Sequence, residues 1–214
     1  MKHHFGWAYP DADDFMWKEM TADGGYQAEH LTRALRHVTD TSMAIDGGAH
    51  VGTWTRIMSQ RFDHVIAYEP SLDTYKALVD NLVAFCCENV IAKQMALGAC
   101  AGHVRMVLDP VQAARSNTGG RRVEFGGEIP VETVDSLRLK TLGFLKLDVE
   151  GSEPAALEGA KETLARCRPI VLFEDKALWT THYGLPKGAV EDILMRLRYR
   201  FLEKVGRDQI WGPA

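Results

Sequence analysis

The chain has 214 residues, enough for one substantial α/β core and too few for a second full domain. Its net charge of −4, from 25 basic and 29 acidic residues, argues against a protein whose main task is to grip a nucleic-acid backbone. No apolar run approaches the ~18 residues of a membrane helix and no apolar signal segment begins the chain, so we expect a cytoplasmic protein with no membrane partner.

Four cysteines are present, and none lies at the spacing of a zinc site or another metal site. In a cytoplasmic protein we expect them to be reduced and to lie mostly in the core. The hydrophobic fraction of 46% and the charged fraction of 25% are ordinary for a globular chain.

The N-terminal segment, residues 1–40, differs in composition from the main domain that we predict over residues 41–214. Residues 1–25 carry aromatic rings among acids, and Pro10 and Gly24-Gly25 interrupt them. We expect a loop or short helix that packs its rings onto the main domain, either as a lid over a ligand or as simple edge packing. Residues 26–38 have apolar side chains at helical spacing, which predicts an amphipathic helix.

Strands and helices then alternate regularly from residue 43. The hydrophobic pattern predicts strands at 43–45, 64–69 and 89–97 and helices at 53–61 and 72–85, the second capped by Ser71. This βαβαβ order is typical of a doubly wound, mostly parallel α/β sheet with helices on both faces, a Rossmann-like fold. Residues 103–108 predict an extra strand.

Residues 109–130 have the least regular pattern. Within them Arg115, Arg121 and Arg122 accompany turn-forming residues. The segment is interpreted either as a flexible substrate loop whose guanidinium groups grip an anion or as a solvated surface loop.

The last third of the chain predicts two more buried strands, 144–149 and 169–175, with a helix starting near Pro154 between them. A polar and aromatic loop at 179–184 is expected on the ligand side of the sheet. Residues 190–197 predict a helix, and 199–204 and 209–211 are expected to form edge strands.

The glycine-rich stretch after the first predicted strand is the strongest indication of a ligand. Gly47, Gly48 and Gly52 permit a sharp turn and a close backbone approach, and Asp46 stands immediately before them. Ala49 occupies the middle glycine of the dinucleotide fingerprint, which makes NAD a poorer fit. Asp46 suits an ammonium group, and Glu69, at the end of the next strand, suits ribose hydroxyls. S-adenosylmethionine combines both groups.

A second cluster of charges ends the strand at 144–149. Strand residues alternate between faces, so Lys146, Asp148 and Glu150 are expected to point roughly the same way. Either they line a site, or a lysine–carboxylate ion pair stabilises the end of the sheet. Together with Glu174 the two acids could collect a cation, but no metal constellation of matched spacing appears, so we expect no metal.

Several motifs resemble those of the FkbM-type methyltransferases, which use S-adenosylmethionine. The similar stretches are residues 44–52, 67–71 and 131–137, and most specifically 145–153 followed by 157–160. The resemblance covers roughly residues 40–175. His50 departs from the family, which usually has Asn there; the change keeps hydrogen-bonding capacity and can alter local pH sensitivity.

The resemblance implies a class I methyltransferase fold and O-methylation, commonly of sugars or hydroxylated natural products, with S-adenosylhomocysteine as the other product. It places Asp46, Gly47, Gly48 and Gly52 beside the methionine part of the cofactor and Glu69 beside the ribose. Further cofactor contacts are expected from His50, Pro70, Ala96 and Leu97, the last three flanking the adenine.

A hydroxyl nucleophile benefits from a base within hydrogen-bond reach, and the candidates are Asp148, Glu150 and His182. The expected function is therefore O-methylation of a hydroxyl on a sugar or other small hydroxylated molecule. The alternatives are a methyltransferase acting on nucleic acid or protein, and a cofactor-binding module without catalysis. A saccharide or small-molecule acceptor is the expected partner rather than nucleic acid, and a homodimer is plausible.

Overall fold

The computed structural model describes residues 1–20, 26–175 and 183–214. The strands are β1 (Lys2–His4), β2 (Trp7–Tyr9), β3 (Met43–Gly47), β4 (His64–Tyr68), β5 (Val90–Lys93), β6 (Ala96–Leu97), β7 (Gly102–Leu108), β8 (Arg121–Phe125), β9 (Ile129–Glu132), β10 (Phe144–Leu147), β11 (Ile170–Glu174), β12 (Tyr199–Val205) and β13 (Asp208–Pro213). The α-helices are α1 (Asp14–Glu19), α2 (Ala28–Leu35), α3 (Thr53–Ser59), α4 (Leu72–Ala84), α5 (Pro110–Ala114), α6 (Glu153–Glu158), α7 (Lys161–Cys167) and α8 (Ala189–Arg196), with a 3-10 helix at Val134–Leu137.

A seven-stranded sheet in the order β12-β13-β11-β10-β3-β4-β5 forms the centre of the fold. The five strands from β11 to β5 pair in parallel, which confirms the predicted doubly wound sheet. The chain runs from β3 outward to β4 and β5, and then returns to place β10 on the other side of β3. Such a reversal opens a crevice at the carboxyl ends of the strands, where α/β proteins bind ligands.

The C-terminal hairpin differs from the expectation of two edge strands. Only β12 lies at the edge, because β13 pairs antiparallel with both β11 and β12. The antiparallel direction puts the first residue of β13, Asp208, opposite Glu174 at the carboxyl end of β11.

A second, four-stranded sheet in the order β6-β9-β7-β8 was not predicted. The predicted strand at 89–97 is wrong as a single element, because β5 stays in the central sheet while β6 pairs with β9. The predicted strand at 103–108 is confirmed as β7. The supposedly irregular segment contains α5, whose first turn is capped by the Asp109 carboxylate, and β8, which pairs with β7.

Two apolar layers cover the central sheet, as strand alternation requires. Ala44 of β3 faces a layer that includes Leu31 of α2 and Met58 of α3. The adjacent residue, Ile45, faces the opposite layer, where Leu157 of α6 packs.

The N-terminal segment packs its rings onto the main domain, as predicted, but through an unexpected β1–β2 hairpin. The Trp7 ring lies 4.4 Å from that of Phe85, centroid to centroid. The buried Asn81 amide of α4 accepts from Ala8 N at 2.7 Å and donates to Ala8 O at 3.0 Å and to Val51 O at 2.8 Å. The division of the chain at residues 40 and 41 stays a prediction.

Two smaller expectations were wrong. Ser71 occupies the N-cap position of α4, but its hydroxyl donates to the Asp73 carboxylate and makes no cap hydrogen bond. Of the four cysteine thiols, all free, only that of Cys87 is buried.

Candidate active site

A cavity of about 480 Å³ opens at the carboxyl ends of the parallel strands. Its floor comes from the segments that follow β3, β4 and β10, and its side walls come from β6 and the start of β13. Phe15 and Met16 of α1 and the loop at 115–120 also line it. The backbone amides of Asp14 and Phe15 donate to Ser116 O at 3.0 and 3.3 Å, so α1 and this loop form one continuous cover.

The glycine turn shapes the floor of the cavity. Gly48 has φ +76°, and a Cβ there would lie 1.9 Å from the carbonyl oxygen of Asp148, so only glycine fits. Gly52 has φ +91° and caps α3, and a Cβ on it would meet Leu78 at 2.6 Å. Of the three predicted glycines, Gly48 lines the cavity. Gly47 and Gly52 hold the turn against its neighbours.

Asp46 lies behind the cavity wall, fully buried, and is paired with a protein ammonium group. The Nζ atom of Lys146 lies 2.9 Å from Asp46 Oδ1 and donates to Gly48 O at 2.7 Å, while Thr55 Oγ1 donates to Asp46 Oδ2 at 2.6 Å. Burial alone would lower the pKa of Lys146, but the Asp46 and Asp148 carboxylates outweigh burial and raise that pKa. The lysine therefore stays charged and fixes the glycine turn to β10.

Glu69 lines the cavity directly after β4 and is nearly buried. Its Oε1 accepts from Ser71 N at 2.9 Å and Thr74 Oγ1 at 2.8 Å, and its Oε2 accepts from His50 N at 2.9 Å. A carboxylate has about four acceptor sites, so these three bonds orient it and leave capacity for a ligand hydroxyl.

The opposite end of the cavity wall is apolar. Ala96 and Leu97 of β6 line it together with Pro70 and Met95. Tyr68 lies there too, and its hydroxyl donates to Glu132, which also binds Lys93 Nζ at 2.6 Å.

His50 connects three segments of the chain. Its Nε2 lies 3.3 Å from Asp13 Oδ2 and 3.0 Å from Thr118 Oγ1, and the Thr118 hydroxyl also donates to Asp13. Burial works against a charged imidazole, but the hydrogen bond and charge of Asp13 outweigh it and raise the pKa of His50. No local sequence pattern indicates this cluster, because Asp13 and Thr118 are 105 residues apart.

Acidic side chains line the cavity near β10 and β11: Asp148, Glu150, Glu174 and Asp208. Asp148 and Glu150 follow β10 as predicted, in a turn where Glu150 takes φ 55°. Buried Glu153 holds this turn by accepting from Val149 N at 3.0 Å and Gly151 N at 3.3 Å. Burial raises the pKa of Glu153 to about 7.

A histidine that the sequence analysis did not select also lines this acidic part. His30 of α2 places its Nδ1 2.6 Å from Oδ2 of Asp208. No local pattern indicates the pair, since 178 residues separate its members and Asp208 starts an antiparallel strand.

The arginines of the irregular segment are mostly engaged in ion pairs. Both guanidinium nitrogens of Arg121 bind the Asp73 carboxylate, and Arg122 lies 3.4 Å from Glu124. Arg115 and Arg121 line the cavity.

Some predictions fall outside what the structure describes or can test. His182 and most of the 179–184 loop lie outside the described residues. Within the described ranges, no group of three or more His, Cys, Asp or Glu side chains is placed to hold a metal ion. No described helix combines the length and apolar character needed to span a membrane.

Comparison with solved structures identifies the fold. Methyltransferase FkbM from Methylobacillus flagellatus KT is similar, with a TM-score of 0.52 and 16% identity over 91% of this chain and 56% of that protein. Precorrin 8w decarboxylase from Methanobacterium thermoautotrophicum has a TM-score of 0.54 and 13% identity over 100% of both chains. Precorrin-6y C5,15-methyltransferase from Geobacter metallireducens GS-15 has a TM-score of 0.50 and 13% identity over 87% of this chain and 84% of that one.

At these identities the likeness is one of fold, and it confirms the predicted class I methyltransferase architecture. The chain spans little more than half of the Methylobacillus protein. A comparison with curated proteins finds no match. The model of the methyltransferase FkbM domain matches residues 46–201, most of the chain. The chain therefore belongs to the FkbM family of S-adenosylmethionine-dependent methyltransferases.

Proposed function

We propose that this protein transfers a methyl group from S-adenosylmethionine to a hydroxyl of a sugar or another small hydroxylated molecule. The observation that carries the proposal is the covered cavity at the switch point of the sheet. It has an oriented carboxylate, Glu69, at one strand end and an acidic turn, Asp148 to Glu150, at another.

The residues present fit the cofactor. Glu69 retains acceptor capacity for ribose hydroxyls, Gly48 lines the floor of the cavity, and Ala96 and Leu97 offer an apolar surface for adenine. Bound S-adenosylmethionine supplies an electrophilic methyl group on a cationic sulfonium. The carboxylates near β10 and β11 suit such a positive charge.

Asp46, unlike these residues, does not line the cavity. Its buried carboxylate already holds the Lys146 ammonium, so we assign it to fixing the glycine turn rather than to contacting the amino group of the cofactor. Gly47 and Gly52 serve the same turn, and His50 joins it to the cover formed by α1 and the 115–120 loop.

The cover and the charges favour a small, uncharged acceptor. Phe15, Met16 and the 115–120 loop reduce the opening, which suits a small molecule better than a folded macromolecule. Of the three arginines that could have served a nucleic acid, Arg121 and Arg122 are paired with Asp73 and Glu124. Carboxylates at the acceptor end repel anions and accept hydrogen bonds from hydroxyl groups.

Positioning supplies much of the rate in a direct methyl transfer, and a base within reach of the hydroxyl supplies more. The backbone of Asp148 packs on Gly48, and Glu153 holds the following turn, so the backbone that carries Asp148 and Glu150 is held beside the cavity. They can hold and orient acceptor hydroxyls there.

Calorimetric titration with S-adenosylmethionine and S-adenosylhomocysteine tests the cofactor, using Glu69→Ala and the matched control Glu88→Ala. Glu88 is exposed just before β5, at the opposite end of the parallel strands. We expect binding by the wild type and the control and a large loss of affinity in Glu69→Ala. Equal binding by all three proteins would contradict the assignment of Glu69.

The acceptor is tested by supplying the methyl-labelled cofactor with monosaccharides and glycosides, bulk RNA and unfolded protein in separate reactions. Label on a saccharide hydroxyl supports the proposal. Label on RNA or protein would replace it with the macromolecular alternative, and cofactor binding without label on any acceptor would favour a non-catalytic module.

A further inference from the structure

The cavity contains a histidine–aspartate pair that none of the family motifs includes. His30 comes from α2, before the first strand of the central sheet, and Asp208 begins β13 at the far end of the chain. We propose that His30 is the general base that takes the proton from the acceptor hydroxyl, and that Asp208 is its positioning residue. This inference rests on the proposed O-methyl transfer.

The short contact between the two side chains fixes the state of the imidazole. Asp208 Oδ2 lies 2.6 Å from His30 Nδ1, and Asp208 is nearly buried. An ionised carboxylate can only accept a hydrogen bond, so Nδ1 must carry a proton. In the neutral ring Nε2 then has the free electron pair that a general base requires.

The position of the ring leaves Nε2 available to a ligand. His30 lines the cavity, its side chain is 23% exposed, and no residue in the described part of the chain hydrogen-bonds to Nε2. Gly206 packs against the ring edge: a Cβ at that position would lie 2.8 Å from Cε1 and 3.4 Å from Nε2. The backbone of the β12–β13 turn thus holds the ring from one side, and Asp208 holds it from another.

The charges around the pair are mixed. Burial, together with the charge of Asp148, raises the pKa of Asp208 above its usual value, although His30 and Lys146 act to lower it. Glu174 and Arg207 line the same part of the cavity, and Glu29 and Arg33 lie on the same helix as His30. The unprotonated nitrogen of a neutral imidazole is a stronger base than a carboxylate, so it is better suited to take a hydroxyl proton.

The proposed step balances without any other reactant. The acceptor O–H bond breaks and its proton moves to Nε2 of His30. The electron pair left on the acceptor oxygen forms the new O–CH₃ bond. The S–CH₃ bond of the donor breaks with its electrons remaining on sulfur. The imidazolium is stabilised by Asp208 and then releases its proton to water.

The test uses His30→Gln, Asp208→Ala and the matched control His64→Gln. His64 is exposed at the start of β4, outside the cavity. Long-range ¹H–¹⁵N NMR spectra report which ring nitrogen of His30 is protonated, and they require no acceptor. Once the ring is neutral, we expect protonated Nδ1 and unprotonated Nε2 in the wild type and the control, and loss of this tautomer preference in Asp208→Ala.

Calorimetry with S-adenosylhomocysteine separates this inference from the proposed function. His30→Gln should bind it as the wild type does while losing about 100-fold or more in kcat with a hydroxyl acceptor. Failure of the wild type to bind would overturn the proposed function. Normal binding with a predominantly Nε2-protonated ring, or with a tautomer unchanged by Asp208→Ala, would overturn the assignment of the pair alone.

Discussion

Replacing Asp46 with Asn tests whether this acid serves the fold. The substitution keeps the size of the side chain but removes the negative charge beside the Lys146 ammonium, which is 4% exposed and would then face only neutral acceptors such as Gly48 O. Removing one partner of a buried ion pair costs about 3–5 kcal/mol, because the other charge stays buried. For a chain of this size that is a fall in Tm of roughly 6–20 °C.

Urea unfolding and calorimetric melting of Asp46→Asn, Lys146→Met and the double variant measure the effect. The double variant should be less destabilised than the sum of the single changes, because it removes both charges. Glu158→Gln is the control, since Glu158 forms an exposed pair with Lys161 at 3.3 Å, and it should change stability by less than about 1 kcal/mol.

Two results would refute this reasoning. One is an Asp46→Asn variant as stable as Glu158→Gln, and the other is strict additivity in the double variant. If stability were unchanged while affinity for S-adenosylmethionine fell sharply, Asp46 would instead be a direct cofactor ligand, as the sequence alone had indicated.

Three further substitutions test the surroundings of the cavity. Gly48→Ala should abolish cofactor binding, measured by calorimetry, because its Cβ would overlap the Asp148 carbonyl oxygen. Glu153 has a folded pKa of about 7 against 4.5 in the unfolded chain, so its ionisation destabilises the fold as pH rises through this interval. The free energy of unfolding of Glu153→Gln, measured in urea, should therefore rise by about 3 kcal/mol relative to that of the wild type between about pH 4 and 8. A difference that does not change with pH would contradict the raised pKa. The raised pKa of His50 contributes stability that is present below about pH 6.5 and is lost as pH rises through the folded pKa. The urea midpoints of His50→Asn and the wild type should therefore differ most at acidic pH, where Asp13 is still ionised. A difference that is independent of pH would refute the pairing of His50 with Asp13.

The sequence predicted the parallel core well because each of its elements has a local cause. The apolar runs before Asp46, Glu69 and Asp148 must be buried, and the glycine turn after β3 leads directly into α3. Hydrophobic periodicity and turn chemistry are properties of neighbouring residues, so they can be read without knowing what lies across the sheet.

The parts that were missed depend on distant partners. The break between β5 and β6 arises because Ala96 and Leu97 pair with β9, more than 30 residues later. Asp208 was not selected because it stands at the start of its strand: in an antiparallel strand the first residue, not the last, reaches the carboxyl edge of the sheet. The roles of His30, Asp13 and Thr118 depend likewise on contacts between segments far apart in the chain.

The amide of Asn81 has a consequence for how this chain can change over evolutionary time. Its three hydrogen bonds satisfy the backbone of Ala8 in the N-terminal hairpin and of Val51 in the glycine turn. A substitution at position 81 therefore removes hydrogen bonds from both segments at once. A shift of the backbone in either segment breaks the hydrogen bonds that this segment makes with Asn81. The first ten residues are therefore constrained together with the glycine turn.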